Sequence, residues 1–130
     1  MLKVPSNLYV KQVKGKGYGV FSSEDIPEGS VIETCYCIKV GSLQTPEIMD
    51  YAFNYPKGKL LPEAELVLPL GFGCIYNHDE DNNADWQNSV RPYHFNFVAL
   101  RDIKAHEEIC TYYGSTYWEQ LEDRKKNDVI

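Results

Sequence analysis

Asn77-His78 and Tyr113 are the groups in this 130-residue sequence whose setting points to chemistry. The pair ends an apolar, glycine-rich approach, Gly71-Phe72-Gly73-Cys74-Ile75-Tyr76, and opens a run of acids and amides, Asp79-Glu80-Asp81-Asn82-Asn83-Ala84. Tyr113 lies in a second stretch, Glu107-Glu108-Ile109-Cys110-Thr111-Tyr112-Tyr113-Gly114. An apolar run that delivers polar side chains marks a site, because buried polar groups need partners. The two stretches read as two walls of one active site.

Other chemistries fit less well. Gly15-Lys16-Gly17-Tyr18-Gly19 lacks the Gly-x-Gly-x-x-Gly spacing and no helix pattern follows, so it is a glycine turn and not a phosphate loop. Its bare backbone can still lie against a ligand. Asp79 to Asp85 starts like a calcium loop, but Ala84 stands at the sixth position and Val90 at the twelfth, where Gly and Glu belong. Cys35 and Cys37 are too close for a zinc pair and have no second pair nearby. A Cys nucleophile served by His78, His94 or His106 has no local support. No metal site is expected.

The elements that must position these groups are mostly strands. Tyr9 to Val13, Val20-Phe21, Val31 to Val40, Glu63 to Leu70, Tyr93 to Leu100 and Glu108 to Tyr113 alternate or are β-branched and aromatic. In the fifth, Tyr93, Phe95 and Phe97 should share one face. Pro46 to Phe53 suits one or two helical turns, and Thr116 to Lys126 a short helix. The length bounds a single domain with one modest core. The predicted class is a mainly β (α+β) domain. Ten Tyr residues suit a site that is both shaped and hydrogen-bonded, or simply a β-rich core. A net charge of −6 argues against a nucleic-acid surface and fits a basic partner. No apolar run approaches a membrane span or a leader, so the four cysteines are expected as reduced thiols in a cytoplasmic or nuclear setting.

The order of motifs resembles the SET-domain family of protein lysine methyltransferases. Lys16 to Phe21 is similar to its opening Gly-x-Gly motif, and Asp25-Ile26-Pro27-Glu28-Gly29-Ser30-Val31-Ile32-Glu33 to the turn and strand that follow. Asn77-His78 with Asn83-Ala84 resembles the Asn-His motif, and Ala99 to Ile109 with Tyr113-Gly114 the closing motif with its catalytic tyrosine. The brevity, Gly71-Phe72-Gly73 and Tyr117-Trp118 are most similar to the compact SET proteins of large algal viruses. Asn82 and His106 depart from the pattern, standing where Pro and a turn Gly are usual; a positive φ at His106 would be strained.

The resemblance implies short curled β-sheets around a C-terminal pseudoknot. It implies a SET domain over residues 1–118, with a variable insert at 41–68 and a tail at 119–130. It implies methyl transfer from S-adenosyl-L-methionine to lysine, with Tyr113 catalytic. Lys16, Gly17, Tyr18, Gly19, Tyr51, Asn77, His78, Tyr113 and Trp118 would hold the cofactor, and Tyr51, Tyr117 and Thr111 would line the lysine channel. The substrate would be a basic protein, histone tails leading, docked as a strand beside the segment before Gly71. No direct nucleic-acid or membrane partner is implied, and a homodimer is allowed. Two other readings stay open: a catalytically inactive SET fold, or a β-rich module that binds basic peptides.

Overall fold

The computed structural model describes residues 5–41, 46–60 and 62–113. Short alternating segments fold into nine strands and one helical turn: β1 (Leu8–Val13), β2 (Gly17–Ser22), β3 (Val31–Lys39), α1 (Pro46–Met49), β4 (Phe53–Tyr55), β5 (Glu65–Pro69), β6 (Asn77–His78), β7 (Ala84–Asn88), β8 (His94–Ala99) and β9 (Glu108–Thr111). They form two sheets, ordered β1-β2-β9-β6 and β4-β5-β3-β8-β7. Glycine makes the β1–β2 turn possible, since Gly15 and Gly17 both take φ of 81°.

The core is built from one face of each sheet. Phe95 and Phe97 of β8, Cys35 and Cys37 of β3, Val67 of β5, Val20 of β2 and Ile109 of β9 are all buried in one cluster. Burying such side chains supplies about 1.5–3 kcal/mol for each large one, which is the main force closing the two sheets together. The alternation expected over Tyr93 to Leu100 holds for Phe95 and Phe97. Tyr93 leaves it, because its φ of 59° breaks the strand. Its ring instead stacks on Tyr55 with centroids 4.8 Å apart.

The structure departs from the expected strands in three places. β7 begins at Ala84, inside the acidic Asp79 to Asp85 run for which no strand was expected, and continues to Asn88 because Trp86 packs against Phe95 and Phe53. The helical reading of Pro46 to Phe53 holds only to Met49, after which Phe53 joins β4. The strand before Gly71 is not an edge: β5 pairs with β3 on one side and β4 on the other, so β4 and β7 are the edges of that sheet. The C-terminal helix expected over Thr116 to Lys126 lies outside the described residues. No helix among the described residues is long and apolar enough to cross a membrane.

β9 joins the distant parts. It runs antiparallel to β2 (Val20 against Ile109) and parallel to β6 (Asn77 against Cys110, His78 against Thr111). Asn83, 4% exposed, clips it in place. Its side-chain amide donates to the Glu108 carbonyl at 2.9 Å, and its carbonyl oxygen accepts from the Cys110 N–H at 2.9 Å. The turn before β9 is strained as the sequence suggested, with His106 at φ 68°. Its ring meets the Tyr9 hydroxyl at 2.7 Å, a contact a glycine would not supply.

Candidate active site

The first wall is assembled around Glu108. Asn77 donates its side-chain amide to the Tyr18 carbonyl at 3.1 Å and to Glu108 Oε2 at 2.7 Å. Lys16 Nζ lies 3.6 Å from Glu108 Oε1, with 39% of its side chain exposed. An exposed ion pair of that length contributes about 0–1 kcal/mol, whereas a hydrogen bond to a charged group contributes about 1.5–3. Asn77 is therefore the main partner that ties β6 to β9 and to the glycine turn. The packing dictates Gly19, since a Cβ there would stand 2.5 Å from Glu108 Oε2 and 2.9 Å from Val13 Cγ2.

The second wall holds Tyr113 at two points. His78 Nδ1 accepts the Tyr113 backbone N–H at 3.0 Å, which assigns the His78 proton to Nε2. The Tyr113 hydroxyl donates to the Tyr76 carbonyl at 2.9 Å. The His78 ring packs between Tyr112 and Tyr113, at 5.1 and 5.2 Å between centroids. His78 thus works through the tyrosine it positions.

Between the walls lies a cavity of about 1530 Å³. That exceeds the usual ligand pocket of about 300–1,000 Å³, so it has room for a cofactor and a substrate side chain together. Of the residues named from the sequence, Lys16, Gly17, Tyr18, Tyr51, Asn77 and Tyr113 line it. Gly19 and Thr111 are buried behind the wall. Tyr117 and Trp118 lie outside the described residues. Phe53, Trp86, Tyr112 and Cys74 also line it, and the sequence reading did not name them as site residues. Among the described residues, its charged lining is Lys16, Asp50 and Lys59. The acidic run after His78 is elsewhere, with Asp85 paired to Lys57 and Asp81 to Arg101.

The cavity fits S-adenosyl-L-methionine on its own chemistry. A glycine turn leaves the backbone bare at Gly17, where an added Cβ would meet nothing within 4 Å. Asn77 and the aromatic residues Tyr18, Tyr51, Phe53, Trp86, Tyr112 and Tyr113 line the same cavity.

The thiols are unsuited to nucleophilic work. Cys35, Cys37 and Cys110 are buried and Cys74 is half-buried. Burial pushes Cys35 well up, Cys37 and Cys110 to about 12, and Cys74 to about 11. Cys74 should react slowly with iodoacetamide in the native protein, its rate rising about tenfold per pH unit from pH 7 to 10 as thiolate forms. Peptide mapping by mass spectrometry checks this; rapid, pH-independent labelling of Cys74 would contradict it.

Residues 17–114 match the SET domain. The chain belongs to the SET-domain family of protein lysine methyltransferases. It is 30% identical over 115 residues to a histone-lysine N-methyltransferase, H3 lysine-37 specific, of Schizosaccharomyces pombe, covering 88% of this chain and 78% of that one. It shares its fold with the crystal structure of a candidate histone methyltransferase from Plasmodium falciparum, with a TM-score of 0.71 and 26% identity, over 88% of this chain and 99% of that one.

Four residues that shape the site were not singled out as site residues from the sequence. Asn83 was visible only as part of a motif. Glu33, Glu108 and Tyr76 likewise stand inside quoted stretches with no role of their own. A carboxylate inside a β-branched, apolar run, as in Val31-Ile32-Glu33, is the signal that could have marked Glu33.

Proposed function

We propose that the protein transfers a methyl group from S-adenosyl-L-methionine to the ε-amine of lysine in a basic protein, with a histone tail as the leading substrate. The observation that carries this is Tyr113, fixed at backbone and hydroxyl on the wall of a cavity that also contains the glycine turn. The name of the Schizosaccharomyces pombe relative supports histone H3 as the first substrate to try. An intracellular, nuclear location follows from that substrate. The likeness to compact algal-virus SET proteins and the 1–118 boundary belong to the same proposal, as do roles for Tyr117, Trp118 and Thr111.

When bound, the cofactor supplies an electrophilic methyl on a positively charged sulfur. Backbone of Lys16 to Gly19 and the Asn77 amide hold its polar end. Tyr51 and Tyr113, with Tyr112 beside them, give the lysine an aromatic approach that strips water from its ammonium and lowers its pKa toward the neutral, nucleophilic form. The Tyr113 hydroxyl orients the amine lone pair along the line of displacement, and orientation of this kind carries much of the barrier reduction. The peptide joins at β4, an edge strand whose Phe53 and Asn54 line the cavity.

The test is incubation with cofactor and core histones, followed by mass spectrometry. Methylation should fall on lysine, and a peptide with the target lysine replaced by arginine should gain no methyl, because guanidinium keeps its proton. Cofactor binding by calorimetry without turnover on any basic protein would favour the inactive-fold reading. No cofactor binding would favour a peptide-binding module.

A further inference from the structure

Tyr76 faces two ways. Its backbone carbonyl receives the Tyr113 hydroxyl at 2.9 Å, and its own hydroxyl donates to Glu33 Oε1 at 2.6 Å. Both Tyr76 and Glu33 are 2% exposed. The ring of Tyr76 lies on Phe97, with centroids 4.6 Å apart.

Glu33 reaches this place through a bulge. The β3–β8 register shifts between Val31 and Glu33, so Ile32 and Glu33 are both turned inward where alternation would expose one of them. The second oxygen of Glu33 accepts the Phe72 N–H at 3.4 Å. Gly71 passes directly over it: a Cβ at Gly71 would stand 2.9 Å from Glu33 Oε2, and its φ is 78°. One carboxyl therefore holds both ends of the approach to Asn77-His78. Burial pushes the Glu33 carboxyl up, partly offset by the bonds from Tyr76 and Phe72. Burial, then Glu33 itself, pushes the Tyr76 phenol well above its usual value, so Tyr76 remains the donor.

A buried carboxyl is a poor way to gain stability, since well-packed apolar groups of similar volume do as well or better. What this pair gives is direction. We propose that the buried Glu33–Tyr76 hydrogen bond is a positioning device for the catalytic tyrosine: it fixes the Tyr76 carbonyl that receives the Tyr113 hydroxyl, and so sets where that hydroxyl stands in the cavity. The inference rests on the reading of Tyr113 as the catalytic group. Glu33 and Tyr76 act through Tyr113.

The test is a double-mutant cycle on the full chain, reading kcat, KM and Tm. Tyr76→Phe should lower kcat about tenfold, the worth of one hydrogen bond. KM for the histone substrate should stay within about twofold, because ground-state binding is untouched. Adding Glu33→Leu to Tyr76→Phe should recover Tm without recovering kcat, whereas a merely structural pair would recover both. In a Tyr113→Phe background, Tyr76→Phe should lower kcat no further, because the two residues act through the same hydroxyl. If Tyr76→Phe does not fold, Glu33→Gln runs the same cycle with a neutral acceptor retained, and should lose less than tenfold. An unchanged kcat in folded Tyr76→Phe, joint recovery of Tm and kcat in the apolar pair, or full multiplication of the two effects in the cycle overturns the inference. Normal turnover in Tyr113→Phe alone overturns the underlying reading instead, and the inference with it.

Discussion

Tyr113→Phe is expected to lower kcat by about 10²–10³, the usual consequence of removing one preorganised polar group from a reacting centre. The change is confined to the hydroxyl. The ring keeps its packing on His78, and the His78 bond goes to the Tyr113 backbone, which the substitution leaves in place. Circular dichroism should therefore match the parent. The Tyr76 carbonyl loses its donor, at a residue that lines the cavity. A folded Tyr113→Phe protein whose kcat stays within about threefold of the parent would remove Tyr113 from the chemistry.

Asn83→Ala is expected to do its damage through stability. The substitution strands the Glu108 carbonyl and the Cys110 N–H together, at a buried position where water cannot replace the amide. Each unsatisfied group costs about 1–3 kcal/mol, so the loss should be about 2–6 kcal/mol. Against a total of about 5–15 kcal/mol for a domain, that is a large share. Tm should fall by about 10–20 °C, and activity at 37 °C with it. Thermal unfolding monitored by circular dichroism gives the answer, and a Tm within about 2 °C of the parent would mean that β9 is held by its strand partners alone.

The sheet elements were legible in the sequence wherever alternation was clean. Phe95 and Phe97 sit inward as the period of two requires, and β3 follows its β-branched and aromatic run. Long-range pairing was not legible. β7 begins inside an acid- and amide-rich run, and only Trp86 packing on Phe53 and Phe95 explains why it is a strand. The resemblance put the peptide beside the segment before Gly71, and the three residues of β4 carry too little pattern to announce that a strand of the chain already lies there. At the site, motif order brought Asn77, His78 and Tyr113 together, but their roles follow from partners far away in sequence. Asn77 binds Glu108, and His78 receives the Tyr113 backbone. The net charge of −6 fits a basic partner, but the described residues lining the cavity include Lys16 and Lys59 as well as Asp50. Bulk charge does not say where charge lies.

The parallel pairing of β6 with β9 also sets a timetable. β2 emerges early in synthesis and β9 late, yet Val20 sits opposite Ile109 in the finished sheet. Until β9 arrives, the glycine turn has no Glu108 beneath it, Asn77 has no carboxylate to bind, and Tyr113 is not beside His78. Closing so long a loop is entropically costly and slow compared with local hairpins such as β1–β2. The glycine turn can form early in its hairpin, but its contact with Glu108 and the seat of Tyr113 beside His78 both wait for β9.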